Sequence, residues 1–247
     1  MHATLDHQTE VDVAGWVQYL TARGLGPNGP APIRLLPGGP AHDVLRIGKS
    51  VVKAVRPGHA NPERISAIAQ TMARAAAFAP AVLLHDDQRG VLVTEFAAAP
   101  NWQQLLDAGR IDHRAFGAAG SMLRRLHDTG LAHGRFRPDN VLVGRHHKLR
   151  AVGWTGARDA RHTLSDEAAG FAAHLVAGSV RQPYAHDWYV EAARWFLTAA
   201  GVISRPDLGA QVGRAVADLV PSQAPKTQPE LRARARGLID GRDRLPW

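Results

Sequence analysis

Eight consecutive residues, His133-Gly134-Arg135-Phe136-Arg137-Pro138-Asp139-Asn140, bring an imidazole, two guanidinium groups, a carboxylate and an amide into one short stretch. An apolar run, Val141-Leu142-Val143, follows directly, and after a short turn comes Leu149-Arg150-Ala151-Val152-Gly153-Trp154. Arginine stays protonated and offers donors but no acceptor, so Arg135 and Arg137 are suited to holding an anion and not to taking up a proton. A further cation, Lys53, sits inside Val51-Val52-Lys53-Ala54-Val55. A lysine in mid-strand among valines needs an anionic partner or a route to water. Metal chemistry is not indicated. There is no cysteine, and the thirteen histidines form no His-x-x-x-His pair with a carboxylate nearby. His146-His147 reads as a solvated turn.

The composition points the same way. The 247 residues carry 30 basic and 22 acidic side chains, a formal net charge of +8. Lysine stands only at 49, 53, 148 and 226, so 30 − 4 = 26 of the basic residues are arginine. Such a balance favours acidic partners: a nucleotide, phosphate or an acidic peptide. The basic residues are scattered and no base-reading motif accompanies them, so nucleic acid is not the expected partner. Arg232-Ala-Arg-Ala-Arg236 reads as a solvated helix face. No apolar run is long enough to span a bilayer, and Met1–Glu10 lacks the apolar core of a secretory signal. A cytoplasmic protein without disulfides and with no membrane partner is expected.

These residues must be positioned by two kinds of structure. Val11 to Arg23 has an apolar face at helical spacing (Val13, Trp16, Val17, Leu20), and Gly24 to Pro32 reads as a linker. Strands are expected at Ile33–Leu36, Val44–Ile47 and Ser50–Val55, with a turn at Pro37-Gly38-Gly39-Pro40. Asn61 and Pro62 are placed to cap and open a helix through about Ala77. Two more strands, Ala81–Leu84 and Gly90–Phe96, flank the Asp86-Asp87 turn. Beyond Ala97 the pattern is helical, interrupted by a β-rich stretch from Asn140 to Trp154. Trp188, Trp195 and Phe196 read as core, and Asn101-Trp102 as the packed start of a helix. The chain is expected to divide into an N-terminal helical extension and linker (1–30), a small β-rich lobe (31–97) and a larger helical lobe (98–247).

The segment from His133 to Val143 resembles the catalytic loop of aminoglycoside and choline phosphotransferases, HGD-hydrophobic-x-P-x-N followed by an apolar strand. Leu149–Trp154 is similar to that family's metal-binding strand, apolar-apolar-D-W. Leu123-Arg124-Arg125-Leu126-His127 resembles the L-x-x-L-H that precedes the loop, and Asp166 stands where the family often has an aspartate opening the next helix. A chance loop beside a hairpin is the alternative, against which order and spacing argue together. The resemblance covers roughly residues 33 to 200 and implies a bilobal, protein-kinase-like α+β fold. It also implies nucleotide-binding positions. Gly38 and Gly39 would begin the phosphate-covering loop, and Lys53 would grip phosphate. Glu95 and Ala97 would hold adenine through backbone groups, and Asn140 would be a metal ligand. Glu63 stands early for the family's glutamate partner of the lysine, and Gln70 lies nearest that position.

Two departures decide what the resemblance implies for activity. Phosphoryl transfer needs a carboxylate at the attacking hydroxyl, oxygen ligands for magnesium and cations on the phosphates. The position of the loop carboxylate is Arg135, which cannot accept a proton. The position of the metal-binding carboxylate is Gly153, which has no side-chain oxygen, and one neutral amide at Asn140 is a poor site for a hard divalent cation. The expectation is a pseudokinase that binds, scaffolds or regulates, with a protein or peptide partner. No cofactor is fixed by the sequence, no metal is expected, and ATP held without magnesium is compatible with a pocket lined by Lys53, Arg135 and Arg137. Such a pocket could equally be filled by an internal carboxylate. The alternatives are an atypical phosphotransferase that borrows Asp139, Asp159 or Asp166, and a peptide-recognition subunit of a natural-product biosynthetic complex.

Overall fold

The computed structural model describes residues 12–38, 41–56, 58–59, 63–109, 113–154 and 163–243. The cap expected at Asn61 and Pro62, Gly39 of the glycine turn, and Asp159 lie outside the described residues. The chain divides into two compact units, Met1–Ala69 with Ala81–Phe96, and Gln70–Pro80 with Ala97–Trp247.

The first unit is built on an antiparallel five-stranded sheet. Its strands are β1 (Ile33–Leu36), β2 (His42–Ile47), β3 (Ser50–Val55), β4 (Val82–Asp86) and β5 (Val91–Glu95), in the order β1-β2-β3-β5-β4. Alternation along β3 sends Ser50, Val52 and Ala54 inward and leaves Val51, Lys53 and Val55 half-buried on the opposite face. Helix α1 (Val13–Thr21) starts at Asp12, whose side chain accepts from the Gly15 amide at 2.8 Å. Its Tyr19 and Leu20 are buried in one cluster with Leu45, Ile47, Val52 and Val93. The Tyr19 hydroxyl donates to Asp86 at 2.8 Å, and the Arg23 guanidinium lies 3.7 Å from the Tyr19 ring centroid. Burial and then the Asp86 bond push the phenol up to about 12. The N-terminal helix is therefore packed into the core of this unit. Helix α2 (Glu63–Arg74) begins in the first unit and ends in the second.

Among the described residues, the second unit holds helices α3 (Trp102–Asp107), α4 (His113–Asp128), α5 (Leu164–Arg181), α6 (His186–Ala200), α7 (Leu208–Leu219) and α8 (Gln228–Ile239). It also holds a two-stranded hairpin of β6 (Val141–Val143) and β7 (Leu149–Ala151). Asn101 and Gln104 form a reciprocal capping box at the start of α3. Trp102 is fully buried, stacked on Phe116 at 4.2 Å, as expected of a helix start that packs. Small residues let the long helices approach closely. Ala168, Ala169, Ala172, Ala173 and Ala177 of α5 are buried, and a Cβ at Gly120 of α4 would fall on the carbonyl oxygen of Phe196 in α6. Phe171 and Phe196 stack at 4.0 Å between α5 and α6.

The structure corrects one core assignment. Phe196 is buried, but Trp188 and Trp195 are 55% and 48% exposed. Helical spacing places side chains on a common face without saying whether that face turns inward, and the inward face of α6 is taken by Tyr189, Ala192, Ala193, Phe196, Leu197 and Ala200. None of the described helices is long and apolar enough to cross a membrane.

Candidate functional site

The loop from His133 to Asn140 follows α4 and leads into β6 through a short 3-10 turn, Pro138–Asn140. Three anchors fix it. Phe136, 2% exposed, inserts toward the Phe171–Phe196 stack, 5.7 Å from Phe171. His133 is fully buried, and its ring is held from both sides. Nε2 donates to the carbonyl of Val152 at 3.0 Å, and Nδ1 accepts from the amide of Arg135 at 3.3 Å. A carbonyl can only accept and an amide can only donate, so these two bonds specify a neutral ring with the proton on Nε2. His133 thus braces the loop from within.

The third anchor is Glu167 on α5. Its buried carboxylate accepts from the amide of His133 at 3.0 Å and from the amide of Gly134, and it bonds to Nε2 of His127 at 2.8 Å. Burial alone would raise this carboxyl. The bond from His127 and the loop amide outweigh it and hold the group below its ordinary range, so it is ionised. The neighbouring Asp166 does something else. With Thr163 it forms a capping box on α5, its Oδ2 accepting from the Thr163 amide at 3.1 Å. Sequence reasoning singled out Asp166 and missed Glu167. The available signal was Thr163-x-x-Asp166, a capping pattern that already accounts for Asp166.

Arg135, Asn140 and Gly153, three positions singled out by the resemblance, are brought together. Asn140 Nδ2 donates to the carbonyl of Arg135 at 2.9 Å, and the Asn140 carbonyl accepts from the Val152 amide at 2.8 Å. Gly153 adopts φ +76°, and a Cβ there would lie 2.6 Å from Asn140 Oδ1. The amide of Asn140 therefore occupies the space that a side chain at 153 would enter. Arg135 is exposed and makes no ion pair among the described residues. Partial burial and the nearby Arg137 both lower its pKa, partly offset by Asp139.

Asp139 pairs with Arg137, Oδ1 to Nε 2.7 Å. Behind this pair lies His174 of α5, a residue that sequence reasoning passed over. Burial pushes its pKa down to about 4; Asp139 opposes, while Arg137, Arg181 and Arg135 push the same way. His174 is a neutral imidazole at neutral pH.

The donor set does not fit magnesium. Arg135 is a cation, Gly153 has no oxygen to offer, and Asn140 contributes one neutral oxygen while its nitrogen is committed to the loop. Among the described residues no group of three acidic or imidazole side chains is placed to hold a metal ion. The remaining expected positions, Gly38, Lys53 and Glu95, lie in the first unit. Gly38 sits where a Cβ would press on the His42 carbonyl, Lys53 lies between Val44 and Leu92 in the sheet register, and Glu95 ends β5 opposite Ser50. Ala97 begins the longer stretch of the second unit.

No family profile matches the sequence, and neither does any curated protein. Solved structures do match. A choline/ethanolamine kinase family protein from Mesorhizobium loti superposes with a TM-score of 0.57 over 92% of this chain and 94% of that one, at 16% identity. The bifunctional kinase-methyltransferase WbdD matches at a TM-score of 0.43 and 18% identity, over 79% of this chain and 47% of that one. With its five-stranded first unit, its larger helical second unit and the loop and hairpin between α4 and α5, the chain has a bilobal protein-kinase-like fold.

Proposed function

We propose that this chain is a pseudokinase, a binding or regulatory subunit that uses a kinase-like scaffold without transferring phosphate. The observation that carries the reading is a braced loop beside which Asp139, Asp166 and Glu167, the described carboxylates, each already have a protein partner. His133, Asn140 and Glu167 hold the loop in a defined shape. Arg135 and Gly153 stand where the resemblance calls for carboxylates. Of the described substitutes, Asp139 is paired with Arg137, Asp166 caps α5, and Glu167 is buried on the loop amides. Each would have to give up that partner to orient a hydroxyl or hold a cation. The loop offers Arg135 instead, which suits an anionic group on a protein or peptide partner, or a nucleotide held without magnesium.

The purified protein, incubated with γ-labelled ATP, should transfer no phosphate to aminoglycosides, to choline-like alcohols or to itself. Choline-like acceptors are included because of the name of the structural neighbour. Turnover above background that disappears in Lys53→Ala would overturn the proposal and restore the atypical-phosphotransferase reading.

A further inference from the structure

Helix α6 turns two tryptophans outward. Trp188 is 55% exposed and Trp195 48%, and Tyr184, in the 3-10 turn just before the helix, is 88% exposed. Seven residues make almost two helical turns, so Trp188 and Trp195 lie on one stripe, and the exposed Tyr184 in the turn just before the helix adds to the row. Rings of this size each carry a large apolar surface, and a row of them in water is surface that association would cover.

The charges beside the stripe say what covers it. Asp187, Glu191 and Arg194 all fall on the same side of it, roughly 60–120° round the helix from Trp188. Glu191 and Arg194 are themselves 3.9 Å apart. An antiparallel copy of α6, laid with position 188 opposite 195, sets each Trp188 against the copy's Trp195. The two-fold axis relating such helices runs across them within the interface, so the charged flank of one meets the charged flank of the other. Arg194 then lies opposite position 189 of the copy, about 3 Å along the axis from both Asp187 and Glu191. The two-fold of a parallel pair runs along the helices and sets the two charged flanks on opposite sides of the seam, where they do not meet. The pattern is self-complementary only in the antiparallel sense.

From this we infer that α6 is a dimer interface and that the stripe of Tyr184, Trp188 and Trp195 is covered by a second copy of this chain. The inference is independent of whether the loop at Arg135 is catalytically inert. Sedimentation equilibrium of the full chain across the micromolar range should give the mass of two chains. A Trp188→Ser, Trp195→Ser variant should give the mass of one, with an unchanged circular dichroism spectrum that shows it folded and a lower melting temperature, because the dimer and the half-buried rings both stabilise the wild-type chain. Arg194→Glu should weaken association roughly tenfold or more, since it places acid against two acids. Combining it with Asp187→Arg and Glu191→Arg reverses every charge on the flank and should restore association. Wild-type protein at the mass of one chain throughout would overturn the inference, as would a dimer that persists in the double tryptophan variant.

Discussion

Glu167 and His133 are 34 residues apart in sequence, and the carboxylate of one accepts the backbone amide of the other at 3.0 Å inside the second unit. With the bonds from Gly134 and His127, this makes Glu167 the fixed point from which the whole loop hangs. Removing it leaves two loop amides and an imidazole without their acceptor. Glu167→Ala should lower stability by about 3 kcal/mol or more, and Glu167→Gln by less because one acceptor oxygen remains. Urea unfolding at neutral pH measures both. The sign with pH follows from the depressed folded value: the contribution is complete above the unfolded carboxyl range, about 4.3, and is lost as pH falls through the lower folded value. An unfolding free energy for Glu167→Ala equal to wild type would remove Glu167 from this role.

His174 titrates in a separate window. Unfolded, it takes a proton near about 6.5; folded, it does so only at about 4. Between those values the unfolded chain binds more protons, so stability falls as pH falls, by up to about 3 kcal/mol from this residue. Other histidines and the acids add their own slopes, so the comparison is with His174→Gln, whose stability should be flatter between pH 7 and 4. Parallel curves for the two proteins would show that His174 is not held neutral by its surroundings.

Much of this arrangement is legible in the residues and some of it is not. The strands of the first unit come from β-branched runs bounded by turn residues, and β1 and β3 begin and end where that pattern places them. The loop is legible because its chemistry is dense: Arg137 and Asp139 stand two residues apart, and they pair. Adjacent residues on a helix are harder to assign, since Asp166 and Glu167 differ only by about 100° of rotation. Which one faces the loop depends on how α5 packs, and only the Thr163 cap gives the answer away. Trp188 and Trp195 illustrate the same limit, with the spacing clear and its direction set by the helices around α6.

Gly153 combines a left-handed backbone with a missing side chain. At φ +76° an L residue is strained, by about 1–2 kcal/mol, and a Cβ must also displace the Asn140 amide that lies 2.6 Å away. Gly153→Ala should therefore melt at a lower temperature than wild type, and Gly153→Asn should lose less because asparagine tolerates this conformation better. Equal melting temperatures for all three proteins would mean that the segment can rearrange at no cost.

The response to nucleotide should not depend on magnesium. A divalent cation raises nucleotide affinity when protein oxygens help to hold it, and here Arg135 and Gly153 supply none while Asn140 supplies one. Metal on the nucleotide would only neutralise phosphate charge that a cationic loop neutralises already. A ligand that binds only the native state raises the melting temperature by mass action, so thermal-shift titration reads this directly. ATP with magnesium and ATP with a chelator should give the same shift. Whatever shift there is should shrink as salt rises, because screening weakens contacts made by exposed charges. In the Arg135→Asp, Gly153→Asp double variant, magnesium should increase the shift, since two carboxylates join Asn140 and one repelling cation is gone. That gain must be read against the lower starting stability that a side chain at 153 brings. A large wild-type shift with ATP and magnesium but none with ATP alone would reveal a metal site outside the described geometry, and Asp159 would be the first carboxylate to substitute.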